Sequence, residues 1–323
     1  MNNNMNMNML LNMLSKMDKK DLEKVRKICE DNNIEFHYVN LQEEFYKDVI
    51  LPFADFYLKG LTPNICSYCN AEFKIEKLLQ YAEKFSCNYI ATGHYARKKA
   101  SLIGIAKDSW KDQSFMLYRL SEKQREKLLL PLGQKMKDEV KDFVRQSGYE
   151  EIANKRESFG LCFTNGKHYS EFLLEKYPEL KKLENGKVFN KNNQVIGTHK
   201  GYPFYTIGQY KGLNCEGKKY INRIIAEENA IFVGEKSECY FSTLRLNSLV
   251  FSQNIENIKI DTPYLTKIRG KDEGNFATLR EISLNHSIIE FSQRVFAPMQ
   301  GQDVVVYNEN NFILFGGRIE SFS

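Results

Sequence analysis

The chain has 323 residues, about twice the usual domain length of ~150, so two or three domains with sizeable cores are expected. Hydrophobic residues make up 42% and charged residues 27%, near globular averages, and no stretch approaches the ~20 apolar residues that span a bilayer, which excludes a helical membrane protein. Forty-six Lys plus Arg against 41 Asp plus Glu leave a net charge of +5, compatible with an anionic partner but too mild to demand one.

Residues 1–17, MNNNMNMNMLLNMLSKM, hold six of the nine methionines among repeated asparagines and read as a low-complexity leader extending to residue 18. From Lys19, Leu22, Val25, Ile28 and Cys29 recur at three- and four-residue steps, one face of an amphipathic helix ended by Asn32-Asn33. IEFHYVNL, residues 34–41, alternates as a strand. A second helix is expected from about Asn70 to Phe85, followed by a buried strand in CNYIATGHYA that stops at Gly93. Helix, strand, helix, strand is the pattern of an α/β unit with a parallel sheet, spanning residues 19–120. Ligands of such sheets sit at the carboxyl ends of the strands, where Thr92, Gly93 and His94 fall.

The stretch from Ser121 to Ser147 reads as helical, and another helix is expected near His168; together they make a connector, 121–185, that carries Cys162. Beyond about Gly186 the hydrophobic period changes to two, with Asn and Gly turns at regular spacing. Two small β-barrels follow, 186–245 and 246–323. The fold class is therefore α/β plus all-β.

Seven cysteines (Cys29, Cys66, Cys69, Cys87, Cys162, Cys215 and Cys239) form an odd, uneven set, and no secretory leader pattern opens the chain. A reducing, cytoplasmic setting with no membrane partner is expected, in which a cysteine acts through its thiolate rather than a persistent disulfide. In LTPNICSYCNAEFK, Cys66 and Cys69 are three apart, with Cys69 expected at a helix start, where backbone amides would stabilise its thiolate. Half of a zinc site is the alternative, but no second CxxC or HxxxH supplies the remaining ligands.

Cys162, between Leu161 and Phe163, is either a buried small hydrophobe or a second reactive thiol. Two thiols on separate loops suit sulfur relay, one holding a persulfide and the other resolving it. KDSWKDQSFMLYRL places Lys111, Asp112 and Gln113 before an apolar run, and YTIGQYKGL places Gln209, Tyr210 and Lys211 between glycines. Both suit RNA contact or are solvated loops. His94 is either a cleft residue or a hydrogen-bonded strand end.

In this order the segments resemble the bacterial tRNA-uridine 2-sulfurtransferase (2-thiouridylase) family. TPNICSYCNAEFK resembles the family's TPNPCxxCNxxIKF, ATGHYAR its TGHYAR, KDQSFMLYRLS its KDQSYFLYxLS, SFGLCF its STGICF, and FYTIGQYKGL its YYTIGQRKGL. The resemblance, from about residue 19 to the C-terminus, implies a truncated Rossmann-like, adenine nucleotide alpha hydrolase-like sheet domain ahead of the barrels. It implies ATP-dependent adenylation of C2 of the wobble uridine, with Mg2+ accompanying ATP, and replacement of the oxygen by persulfide sulfur. It implies tRNA as substrate and a cysteine desulfurase or sulfur carrier protein as donor. On matching positions Cys69 is the nucleophile, Cys162 the persulfide carrier and Gly93 an ATP contact. The tRNA contacts fall on Asn64, Ile65, Cys66, His94, Lys111, Asp112, Gln113, Arg269, Gly270 and Gln302.

The departures also carry expectations. The family's opening strand and SGGVDSS phosphate loop have no counterpart: the first glycine is Gly60, and the only Gly-Gly pair is Gly316-Gly317. The ATP step is then without its cradle of backbone amides, and an exposed sheet edge with apolar surface is expected. Ile65 replaces a proline, Phe159 a threonine, Tyr210 an arginine and Gly270-Lys271 a Tyr-Arg pair, each removing rigidity or an RNA contact. Besides the thiouridylase, the sequence admits a non-catalytic paralogue that binds tRNA or carries sulfur without ATP activation, and a cysteine-based redox protein.

Overall fold

The structure, a computed structural model, describes residues 19–155, 160–164 and 166–323. The methionine-rich leader and Phe159 lie outside the described residues. The chain divides into two compact units, Met1–Pro52 and Phe53–Ser323.

In the first unit α1 (Lys19–Asp31) carries Leu22, Ile28 and Cys29 half-buried and Val25 exposed. It ends where expected: Asn33 takes a φ of 54°, and Ile34 N donates to Cys29 O at 2.7 Å. The strand expected over 34–41 is not formed; this segment pairs with none of the described strands. Alternation of side chains defines two faces, but a strand persists only where a neighbour takes its backbone hydrogen bonds. Ile34 and Tyr38 remain exposed there. α2 (Gln42–Phe45) and a π-helical turn (Tyr46–Ile50) follow.

α3 (Leu51–Leu58) leads into the second unit. There α4 (Ile65–Tyr68), a π-helix (Cys69–Lys74) and α5 (Ile75–Lys84) run on without a break. The helix therefore starts at Ile65 rather than near Asn70, because Pro63 keeps Thr62 out of the helical region and Asn64 takes the cap position. Its buried face is Ala71, Phe73, Ile75 and Ala82.

β1 (Ile90–Ala91) pairs in parallel with β4 (Leu128–Leu129), Ile90 opposite Leu128. β4 interrupts the stretch that reads as continuous helix. α6 (Glu122–Lys127) opens on a capping box between Ser121 and Gln124, stops at the fully buried Leu128 ahead of Pro131, and α7 (Lys137–Gln146) resumes beyond. The hairpin of β2 (Arg97–Lys99) and β3 (Leu102–Gly104) meets α6 at its turn, where Arg125 Nε donates to Ser101 O at 2.9 Å. The connector expected over 121–185 therefore gives its first residues to the α/β sheet, through β4; α8 (Glu150–Ala153) and α9 (Tyr169–Lys176) lie further along it, α9 starting directly after its cap His168, as expected.

The β half begins at Gly186, as the change of period predicts. β5 (Gly186–Phe189), β6 (Val195–His199), β7 (Asn214–Cys215), β8 (Tyr220–Ile225) and β9 (Ala230–Gly234) form one sheet in the order β7-β6-β5-β9-β8. β10 (Tyr240–Phe251), β11 (Pro263–Lys267), β12 (Asn275–Ile282), β13 (His286–Phe296), β14 (Asp303–Tyr307) and β15 (Ile313–Phe322) close into a barrel in the order β10-β13-β12-β11-β14-β15.

β14 is buried on both faces: Val304 and Val306 fill the barrel with Leu244, Ile289 and Phe315, while Val305 and Tyr307 join the α/β core with Ile75, Leu117, Tyr118 and Leu128. One strand thus holds the α/β layer on the barrel wall. Among the described residues no helix is long and apolar enough to cross a membrane.

Candidate active site

Cys66 lies in the first turn of the Ile65 helix and Cys69 in the second. This corrects the expectation that Cys69 stands at the helix start with a stabilised thiolate. Cys69 is buried, and loss of solvation pushes its thiol up to about 11; Cys66 is pushed up for the same reason. The positive charge of Lys74 pulls both back down in part.

The turn is pinned from both sides. The Ser67 hydroxyl, between the two cysteines, donates to the buried carboxylate of Asp303 on β14, which also accepts from Tyr118 Oη at 2.8 Å and lies 3.8 Å from the Arg119 guanidinium. Burial raises the Asp303 carboxyl above the usual range in spite of these partners. Asn70, directly after Cys69, donates through Nδ2 to Met116 O at 3.0 Å.

Cys162 is exposed, so its reading as a buried hydrophobe does not hold. The residue that is buried is its neighbour Phe163, which packs edge-on against Phe53 (5.1 Å between centroids) and Phe172 (5.2 Å). That aromatic cluster brings Cys162 close enough for a negative charge on it to act on Cys66 and Cys69. The Cys162 loop and the Cys66–Cys69 turn, nearly a hundred residues apart in sequence, thus lie within range of each other's charge. All seven cysteines are free. Among the described residues no group of three His, Cys, Asp or Glu could hold a metal ion.

The GHYAR and KDQS segments meet beside this cluster. Gln113 N donates to Tyr95 O at 2.7 Å, and Gln113 Oε1 accepts from Tyr95 N at 3.0 Å. His94 Nδ1 lies 2.7 Å from Thr92 Oγ1, just past the end of β1, the hydrogen-bonded strand-end position of the two expected for it. Burial and the charge of Lys74 lower its pKa to about 4, which keeps the ring neutral. Gly93 is exposed at the same end; a Cβ there would only touch Leu132. Lys111 is half-buried in a short 3-10 turn (Ser109–Lys111).

Asp112 is buried. Its carboxylate accepts from Ala106 N (3.0 Å), Ser114 N (3.1 Å), Ser114 Oγ (2.9 Å) and the buried Lys267 Nζ (3.0 Å). Every lone pair direction is taken from inside, so a side-chain contact to RNA is not what this carboxylate is arranged to make. The Gly316-Gly317 pair is likewise structural, since a Cβ on Gly316 would run into the buried Tyr118 ring.

The barrel supplies the rest. Arg269 donates to Phe296 O (3.1 Å) and Ala297 O (2.6 Å), and Gly270 borders Met116, whose carbonyl holds Asn70. Thr62 N donates to Gln300 O at 2.9 Å, tying the loop ahead of the cysteines to the loop that carries Gln302. Asn64 Nδ2 and Gln302 Oε1 are buried polar atoms without a protein partner, a costly state that a bound polar ligand relieves. In the YTIGQYKGL loop the Gln209 amide is used internally, on Lys211 O, whereas Tyr210 is exposed with Lys218 Nζ 4.6 Å from its ring centre.

Comparison with known proteins is decisive. A family model described as the tRNA methyl transferase HUP domain matches residues 1–166, and one described as the tRNA methyl transferase PRC-barrel domain matches residues 170–235. The tRNA-specific 2-thiouridylase MnmA 1 of Clostridium tetani (strain Massachusetts / E88) is 35% identical over 309 residues, 93% of this chain and 83% of that protein. The chain belongs to the tRNA-specific 2-thiouridylase family. The tRNA-specific 2-thiouridylase MnmA of Cytophaga hutchinsonii is 34% identical over 294 residues (88% and 79% of the two chains), and that of Chlorobium phaeobacteroides (strain BS1) 35% over 322 (95% and 88%). These matches bear out the expected class, a Rossmann-like α/β unit followed by β-barrel structure; of the two barrels expected over 186–245 and 246–323, the second closes and the first is a five-stranded sheet, and β10 runs across their expected boundary because its residues pair with β13 and β15.

Sequence reasoning missed Ser67, Lys74 and Asp303. Ser67 offered no signal beyond lying between the cysteines. Asp303 follows Gln302 directly but reads only as the start of the strand run QDVVVY, and Lys74, five residues after Cys69, falls off the cysteine face of any regular α-helix.

Proposed function

We propose that this chain transfers sulfur to C2 of a tRNA uridine, with Cys162 as persulfide carrier and Cys69 as the thiol that resolves it. What supports this reading is that Cys162 lies near enough to the Cys66–Cys69 turn for a charge on one to act on the other. The exposure of Cys162 suits loading by an external donor, a cysteine desulfurase or a sulfur carrier protein, and the burial of Cys69 suits a thiol that reacts only with what is delivered to it.

The chemistry assigned to this chain is the handling of sulfur. The terminal sulfur of the Cys162 persulfide adds to C2, and the C2 oxygen departs with its activating group. The Cys69 thiolate then attacks the Cys162 sulfur; the sulfur–sulfur bond breaks, its electron pair goes to the sulfur now on the base, and a Cys69–Cys162 disulfide remains for an external thiol reductant to reopen.

By the resemblance, ATP supplies the activating group. Gly93, with open space for a close backbone approach, is the described residue assigned to the ATP contact. No step is assigned through ATP or an accompanying Mg2+ here. RNA contact is assigned to Asn64, Ile65, Cys66, His94, Lys111, Gln113, Arg269, Gly270 and Gln302, which the unpartnered atoms of Asn64 and Gln302 support. Asp112 is assigned to holding the KDQS loop.

Deletion of the gene, with 2-thiouridine measured in total tRNA by mass spectrometry, tests the reading. Loss of the nucleoside, restored by this chain and not by its Cys162→Ser variant, is expected. Unchanged thiolation in a strain with no second copy overturns it, and tight tRNA binding in that case points to the tRNA-binding or sulfur-carrying alternative.

A further inference from the structure

We propose that Lys74 is the residue that stabilises negative charge on sulfur as it passes between Cys162 and Cys69, and that the π-helix exists to place it there. The inference rests on the sulfur-transfer reading and adds to it a residue with its own geometry. In a regular α-helix, residues five apart point roughly 140° away from each other. Here the turn is widened: Ile75 N–H donates to Asn70 O, five residues back, and Cys69 and Lys74 are the first and last residues of the widened segment. Hydrogen bonding from i to i+5 brings the end of the turn closer to lying over its beginning, so Lys74 is turned nearer to the Cys69 side than a regular α-helix would put it, with Lys74 exposed and Cys69 buried. Extra residues of this kind inside helices are often found at functional sites.

The surroundings leave this role to Lys74. It is exposed while Phe73 and Ile75 on either side of it are buried, and it enters no ion pair among the described residues. Its charge acts on Cys66, on Cys69 and on His94 across the cluster. The other charges facing Cys69 are those of Cys66 and Cys162, both negative when ionised, and Glu72 on the same turn acts on Arg119 instead. Two or three sulfur anions crowded together repel one another unless a cation is present.

The test uses the full chain with Lys74→Gln and Lys74→Arg. Two measurements need neither tRNA nor ATP: the pH profile of Cys69 alkylation, followed by peptide mass spectrometry, and the titration of the His94 ring by NMR. Lys74→Gln is expected to slow Cys69 alkylation at pH 8 roughly 3- to 10-fold, the effect of one partly screened charge, and to move His94 titration upward from about 4. Lys74→Arg restores both. A purely structural role would not shift both groups through charge alone. Unchanged profiles in Lys74→Gln, or an Arg variant indistinguishable from Gln, overturn the proposal. The sulfur-transfer reading fails separately, through unchanged 2-thiouridine in the deletion strain with these thiol profiles intact.

Discussion

In the KDQS segment, three adjacent polar side chains have three different fates. Gln113 grips the backbone of Tyr95, Lys111 is half-buried, and the Asp112 carboxylate is enclosed by four donors, the charged one being Lys267 from β11. Removing one member of a buried, hydrogen-bonded ion pair leaves the other uncompensated, at a cost of about 3–5 kcal/mol. Asp112→Ala is therefore expected to lower the urea midpoint sharply, while the slope of tRNA affinity against salt stays as in the parent chain, since no phosphate contact is lost. A variant with parental stability and a flattened salt slope would make Asp112 an RNA contact after all. A linear reading could select Asp112 as chemically important, because a charged residue ahead of an apolar run is unusual. It could not say whether the charge faces RNA or Lys267, which lies 155 positions away. The same holds for Asp303, whose partners Ser67 and Tyr118 come from two other segments.

Elements were legible in proportion to how local their causes are. The strands of the β half follow from period-two alternation, and α9 from its cap at His168. The segment 34–41 alternates as well, yet lacks a ladder, because pairing is a property of two segments and not of one. β4 is only Leu128–Leu129, too short for any period to show, and Pro131 was its sole local marker. The π-helix left no trace in the pattern, since an extra residue in a turn shows only in the backbone bonding.

At this scale the aromatic anchor of the Cys162 loop is testable. Phe163→Ala empties a well-packed position between Phe53 and Phe172, costing about 3–5 kcal/mol. A smaller loss of thermal stability, with Cys162 still reacting as in the parent chain, would mean that the loop is held by something other than Phe163.

Across the second unit, the site is assembled where its layers meet. The cysteine turn comes from the α/β layer, Cys162 from the connector, and Arg269, Gln302 and Asp303 from the barrel, with β14 shared by both cores. A Cβ on Gly208 would strike Ala297, so the YTIGQYKGL loop of the five-stranded sheet packs beside the carbonyls that hold Arg269. No segment contains the site, which is why motif order gave the family while the geometry had to come from the fold.

The claim on which the account turns is that Cys162 and the Cys66–Cys69 turn are neighbours. Mild oxidation of the full-length chain, followed by mapping of disulfide-linked peptides by mass spectrometry, measures this directly. The account predicts that Cys162 is recovered joined to Cys69 or Cys66, with Cys87, Cys215 and Cys239 left as free thiols under the same conditions. Recovery of Cys162 joined to Cys215 or Cys239, or unlinked while other cysteines pair, would contradict it.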